Sequence, residues 1–154
     1  MVTVTCEELN SVWTLKKALE REQRRLKDLQ LIAAPVSPQA DGLPHVRSAS
    51  SKVERLATMI ADCGQLIDSL TEKIANRKVD LLIRLQSLNL AELQERVLCY
   101  HYVACKTFKE ISRLMSFTND YVCYLHRRGL EAVGLTSAEI KRYKKTHKPA
   151  LISA

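Results

Sequence analysis

Apolar residues recur along the start of the chain in steps of three and four. Val12, Leu15, Leu19, Leu26 and Leu29 fall on one line, with Glu22 as its single polar member. That spacing predicts a helix from about Thr5 to Ala33 whose apolar stripe is a narrow coiled-coil seam. Thr5 can cap its start, and Glu7 and Glu8 in the first turn suit the helix dipole. A second seam runs through Val53, Leu56, Ile60, Cys63, Ile67, Leu70, Ile74, Leu81, Leu85 and Leu88, broken at Arg77 and Lys78. It predicts a longer helix from near Ser51, with Ser51 and Glu54 as a capping box. Between the two, "APVSPQADGLPHVRSASS" concentrates proline, glycine and serine and predicts an extended loop over about residues 34–50. Neither stripe is wide enough to stand alone, so the helices need each other or another copy. An antiparallel hairpin is the simplest arrangement, and a homodimer through the coiled coil is the other.

After Asn89 the pattern shortens to three helices. "AELQERVLCYHYV" is expected to bury Leu93, Val97, Leu98 and His101. "FKEISRLM" places Phe108, Ile111, Ser112 and Met115 on one stripe, and Thr107 with Glu110 forms a capping box at its start. "SFT" is a turn, and Thr118 caps the third helix. On that helix Val122, Leu125, His126, Gly129 and Val133 share one side, flanked by Leu130. Asp120, Tyr124, Arg127 and Glu131 lie opposite, with Asn119, Cys123 and Arg128 alongside. Ser112 and Gly129 are small where two crossing helices would approach closely. A short helix, a tight turn and a longer helix with polar and basic residues outside predict a helix-turn-helix. The expected organisation is therefore all-α: a long antiparallel coiled-coil hairpin over 1–89, a three-helix helix-turn-helix domain over 90–135, and a basic tail over 136–154. The tail opens on another capping box, Thr136 to Glu139.

Charge sharpens this division. The net charge is +7, of which residues 1–89 carry +2 and residues 90–154 carry +5. A polyanion would be drawn to the C-terminal part. Five cysteines without a C-x-x-C make no disulfide framework. No signal peptide or membrane span is evident, so a soluble, reduced, cytoplasmic protein is expected. Cys99, His101 and Cys105 suggest a metal only at first sight, because positions 99 and 101 point about 200° apart on a helix. No phosphate-cradling glycine loop, nucleophile motif or carboxylate cluster is present. The expectation is a non-enzyme with no cofactor and no metal. His126, on the apolar side, is expected to be a hydrogen-bonded core histidine.

The stretch "ERVLCYHYVACKTFKEISRLMSFTNDYVCYLHRRGLEAV" resembles region four of bacterial sigma factors, the module that reads the upstream promoter element. The chain as a whole, including "SPQADGLPHVRSASSKVERLA", is similar to small phage and prophage transcriptional regulators that carry this module behind a helical hairpin. The resemblance extends to Leu135. It implies a reading segment with Thr118, Asn119, Asp120, Tyr121, Cys123, Tyr124, Arg127 and Arg128 at the DNA. It also implies Lys106, Thr107 and Lys109 near the phosphate backbone. Beyond the resemblance, the basic run of Lys141, Arg142, Lys144, Lys145 and Lys148 reads either as a solvated tail or as a phosphate clamp, with Lys144 and Lys145 as the clamp's candidates. Two departures stand out. The family has Gly where this chain has Cys105 and Ser116, at the turns before the second and third helices. Gly tolerates positive φ, whereas a β-carbon costs about 1 kcal/mol there, so the shape of both turns is left open.

These readings converge on sequence-specific binding of double-stranded DNA at promoters in a bacterial host, with RNA polymerase as a further partner and no membrane. Two rivals share the same features. In one, the coiled coil binds a protein partner and the short helices are only packing. In the other, the chain is a small terminase subunit that recognises phage DNA for packaging. Salt separates the first rival, since DNA affinity falls steeply with salt and an apolar interface barely responds. A ring-sized assembly would mark the second.

Overall fold

A computed structural model describes residues 4–34 and 47–146. Among them the chain is all-helical: α1 (Cys6–Ala33), α2 (Arg47–Ser87), α3 (Glu92–Leu98), a π-helical turn (Cys99–Val103), α4 (Phe108–Met115), α5 (Asn119–Ala132) and α6 (Ser137–Thr146). None of these helices is long and apolar enough to cross a membrane. Helix α1 starts where Thr5 and Glu8 cap each other, Glu8 N–H donating to Thr5 Oγ1 (3.2 Å) and Thr5 N–H to Glu8 Oε2 (2.9 Å). The amide hydrogen bond to Thr5 also holds the Glu8 carboxyl below its usual range, despite some desolvation. Helix α2 begins at Arg47, one turn before the expected start. Ser48–Ser50 are therefore helical rather than loop, and Ser51 and Glu54 lie inside the helix instead of capping it. Good helix formers at Arg47 and Ala49 extend the helix back toward Pro44. Residues 35–46 of the expected loop lie outside the described residues.

The chain divides into two compact units. One is Leu15–Ile74. Its inward positions are those of the two seams: Leu29, Cys63 and Leu70 are buried, and Leu15, Leu19, Glu22, Leu26, Leu56, Ile60, Ile67 and Ile74 are partly so. Glu22, the polar member of the first seam, meets Cys63, whose Sγ donates to the Glu22 carbonyl at 3.3 Å. Val53 departs from the expectation and is 66% exposed. It stands within two turns of the start of α2, where no described residue covers it.

The other unit joins Met1–Thr14 to Ala75–Ala154. Here Arg84 pairs with Glu8, and Arg77 Nε donates to Ser11 Oγ (2.8 Å). The start of α1 thus runs opposite to the end of α2. Arg77, the basic interruption of the second seam, has a polar partner for its head group. Asn89 ends this stretch in a left-handed conformation (φ 50°), one that asparagine tolerates. Beyond it, Val97, Ile111, Val122 and Leu125 form a buried cluster, with Leu93, Tyr100, Phe108, Met115 and Phe117 packed on it. Gly129 does not serve the crossing expected of it. An added β-carbon there would lie 3.1–3.2 Å from Leu98 and 3.5 Å from Gln94, so the close approach is between α5 and α3. Gly129 sits in the third turn of α5, whereas the turn before Asn119 brings α4 against its first half.

Both turns in doubt keep the left-handed backbone without glycine, with φ 54° at Cys105 and 56° at Ser116. At Ser116 the Phe117 N–H donates to the Ser112 carbonyl (3.0 Å) and the Ser116 N–H to Arg113 (3.4 Å), the pairing of a Schellman cap. The backbone geometry therefore matches what glycine would adopt, and the side chain is carried at a cost. Ser116 is exposed, so Ser116→Gly removes little packing. We expect it to stabilise the protein by about 1 kcal/mol, a rise in Tm of roughly 3–5 °C in a thermal melt. No change or a fall would mean that the serine hydroxyl supports the turn.

Candidate nucleic-acid interface

Helices α4 and α5 are set by their caps. At α4, Glu110 N–H donates to Thr107 Oγ1 (3.3 Å) and Thr107 N–H to Glu110 Oε2 (2.8 Å), completing the expected box. At α5, Tyr121 N–H donates to Thr118 Oγ1 (3.3 Å). Only Ser116, Phe117 and Thr118 separate the two helices. Phe117 anchors this turn by packing on the core cluster and meeting Tyr121 edge-on at 5.0 Å.

The division of α5 into two faces follows the 100° step. Val122, Leu125, His126, Gly129 and Leu130 are buried, as is Val133 just beyond. Asn119, Asp120, Tyr121, Cys123, Tyr124, Arg127, Arg128 and Glu131 are exposed. Tyr121 and Tyr124 are nearly parallel, and the guanidinium carbons of Arg127 and Arg128 lie 6.0 and 5.9 Å from the Tyr124 ring centre. The Tyr124 hydroxyl, and then Glu131, hold the Arg128 guanidinium above its usual range. Arg128 pairs with Glu131 at 3.4 Å, an exposed contact of little energetic weight. Asp120 sits in the first turn, where the helix dipole favours an acid.

The candidate phosphate contacts are less uniform. Lys106, Thr107 and Lys109 are all exposed at the head of α4. Thr107, however, has its hydroxyl engaged with Glu110 (3.1 Å) as well as accepting from the amide, so it acts as a cap. The segment expected to be a tail forms α6 over Ser137–Thr146, started by the Thr136–Glu139 box. On it Lys141, Arg142 and Lys145 are exposed; the side chain of Lys144 and residues 147–154 lie outside the described residues. Tyr143 is partly buried, which pushes its hydroxyl up, and the neighbouring Cys6 thiol and Glu7 carboxylate add to this. A hydrogen bond with Thr14 pulls the other way. Helix α6 is therefore seated beside the start of α1.

Behind α4 and α5 lies a group of rings that sequence periodicity does not announce. His126 is buried, and its Nε2 is 2.7 Å from the Tyr102 hydroxyl, the core role expected of it. Burial pushes the Tyr102 hydroxyl up, so it stays protonated. His101 stacks on Phe108 (4.5 Å, 15°) and meets His126 edge-on. Its Nδ1 lies 2.8 Å from the Lys106 carbonyl, which can only accept, so this nitrogen carries the proton. Trp13 of α1 completes the group. Its Nε1 donates to the His101 carbonyl at 2.7 Å, supplying a partner where a helix end leaves carbonyls without amides. The available signal was that Trp13, the one tryptophan, falls beside the α1 seam rather than on it. No group of three or more His, Cys, Asp or Glu among the described residues is placed to hold a metal. Burial also pushes the Cys99 thiol up to about 11, with Glu95 adding to the effect.

In comparisons with known proteins, no family model, no curated protein and no solved structure matches this chain.

Proposed function

We propose that this chain is a sequence-specific binder of double-stranded DNA, a phage or prophage transcriptional regulator acting at promoters. In this reading α4 and α5 are a helix-turn-helix, and α5 lies in the major groove with Asn119 and Arg127 toward base edges. The observation that carries it is the composition of the exposed face of α5. That face presents Asn119, Tyr121, Tyr124, Arg127 and Arg128 together, behind a capped three-residue turn. Lys106 and Lys109 on α4, and Lys141, Arg142 and Lys145 on α6, offer cations to phosphates. Helices α1 and α2 are read as an antiparallel coiled-coil hairpin, supported by the pairs Glu8–Arg84 and Ser11–Arg77 in one unit and Glu22–Cys63 in the other. RNA polymerase is the natural second partner for a promoter-bound protein of this kind.

Selection from a randomised duplex pool tests the reading. The wild-type protein should enrich a defined site, with affinity falling steeply as salt rises. Lys109→Ala and Lys145→Ala should each lower the log–log salt slope by about 0.9 without changing the site. Arg127→Ala should lose about 1–3 kcal/mol of discrimination at one base position, because a bidentate contact to guanine is removed. If Arg127→Ala keeps both affinity and preference, α5 is not the reading helix. A flat salt response would favour the protein-binding reading of the coiled coil.

A further inference from the structure

The exposed flank of α5 carries more ring surface than the reading of duplex edges uses. Tyr121 and Tyr124 are 39% and 43% exposed, with 15° between their planes and 6.1 Å between their centres. Phe117 supports Tyr121 from one end, and the Arg127 and Arg128 guanidinium groups lie against Tyr124 at the other. The result is one continuous run of rings followed by two cations on a single helix face. In a duplex, neighbouring pairs cover the faces of the bases, and the grooves offer only edges. A tyrosine there contributes its hydroxyl or its ring edge, and its ring face goes unused. An unpaired strand offers the opposite: exposed base faces that stack on aromatic rings and guanidinium planes, with a phosphate at every step.

We propose that the Tyr121–Tyr124–Arg127–Arg128 face takes single-stranded DNA, with an unpaired base stacked on the tyrosines and adjacent phosphates on the two arginines. The inference rests on the reading of this face as a DNA interface and adds the strand state that it accepts. It differs in a checkable way from a role in which the tyrosine hydroxyls bind duplex phosphates. Stacking needs the ring, whereas the hydrogen bond needs the hydroxyl.

Fluorescence anisotropy with the full-length chain decides between them, using labelled oligothymidylate and a duplex of equal length over a range of salt. The wild-type protein should bind the single strand. Tyr124→Ala should weaken that binding about 5- to 150-fold, the effect of losing one base–aromatic stack. Its salt slope should persist, because no phosphate contact is removed. Tyr124→Phe keeps the ring and should lose far less than Tyr124→Ala, and Tyr121→Ala should repeat the loss in an independent variant. The proposal is overturned if the wild-type protein ignores the single strand, or if Tyr124→Phe loses as much as Tyr124→Ala. It is also overturned if neither alanine variant changes affinity, or if oligouridylate binds more tightly than oligothymidylate. Duplex binding without single-strand binding removes this inference alone, and the converse removes only the duplex reading.

Discussion

Val122→Asp should cost about 4 kcal/mol or more and unfold the unit that holds α3 to α6 under conditions where the wild-type protein is folded. Val122 is fully buried among Val97, Ile111 and Leu125, none of which can accept or donate a hydrogen bond. A carboxylate there is either charged without a partner or forced to take up a proton. Since total stability is on the order of 5–15 kcal/mol, such a loss leaves little margin. Urea titration followed by circular dichroism measures it directly. The sign of the pH dependence is also set. The buried carboxyl has its pKa raised above the unfolded value, so the folded form binds more protons, and part of the lost stability should return as pH falls. Cys123→Asp, one residue along and exposed, should change stability by no more than about 0.5 kcal/mol. If both variants melt alike, the two faces of α5 are misassigned.

Trp13→Ala is the second large effect, expected at about 2–4 kcal/mol, because it removes a partly buried aromatic ring and a hydrogen bond to a helix end. The loss should reach the C-terminal helices although the substitution lies in α1, since the His101 carbonyl accepts from Trp13 and the His101 ring stacks on Phe108 at the start of α4. Trp13→Phe keeps a ring and loses the N–H, so it should cost only about 1 kcal/mol. Trp13 is the one tryptophan, and its fluorescence should therefore report the same transition as the far-ultraviolet signal. Two separate transitions would show that α1 melts independently of the helices it touches.

What could be read from sequence were the features set by neighbours along the chain. The 3.6-residue period placed the buried and exposed sides of α5, and the T-x-x-E spacing placed the boxes at Thr107 and Thr136. Both depend on residues three or four apart, whose geometry a helix dictates. The seams of α1 and α2 were legible for the same reason, and Val53 failed where a position on the stripe had nothing to cover it. The start of α2 was misjudged because serines serve as caps and as interior residues alike, and local pattern does not choose between them.

Other features depend on residues far apart in the chain, and no period encodes those. Trp13 finds its acceptor 88 residues away. Gly129 is small for Leu98 on α3, since which helix approaches it depends on how three helices close around one cluster. The left-handed turns at Cys105 and Ser116 hold without glycine, because packing and terminal hydrogen bonds on either side repay a local cost of about 1 kcal/mol each. The seating of α6 beside α1 turns a basic run into a placed helix through Tyr143. Helix faces and caps were thus determined by the sequence itself, through contacts within one turn. Which faces meet, and which strained turns survive, was decided by tertiary packing, where the energy of many distant contacts outweighs any single local preference.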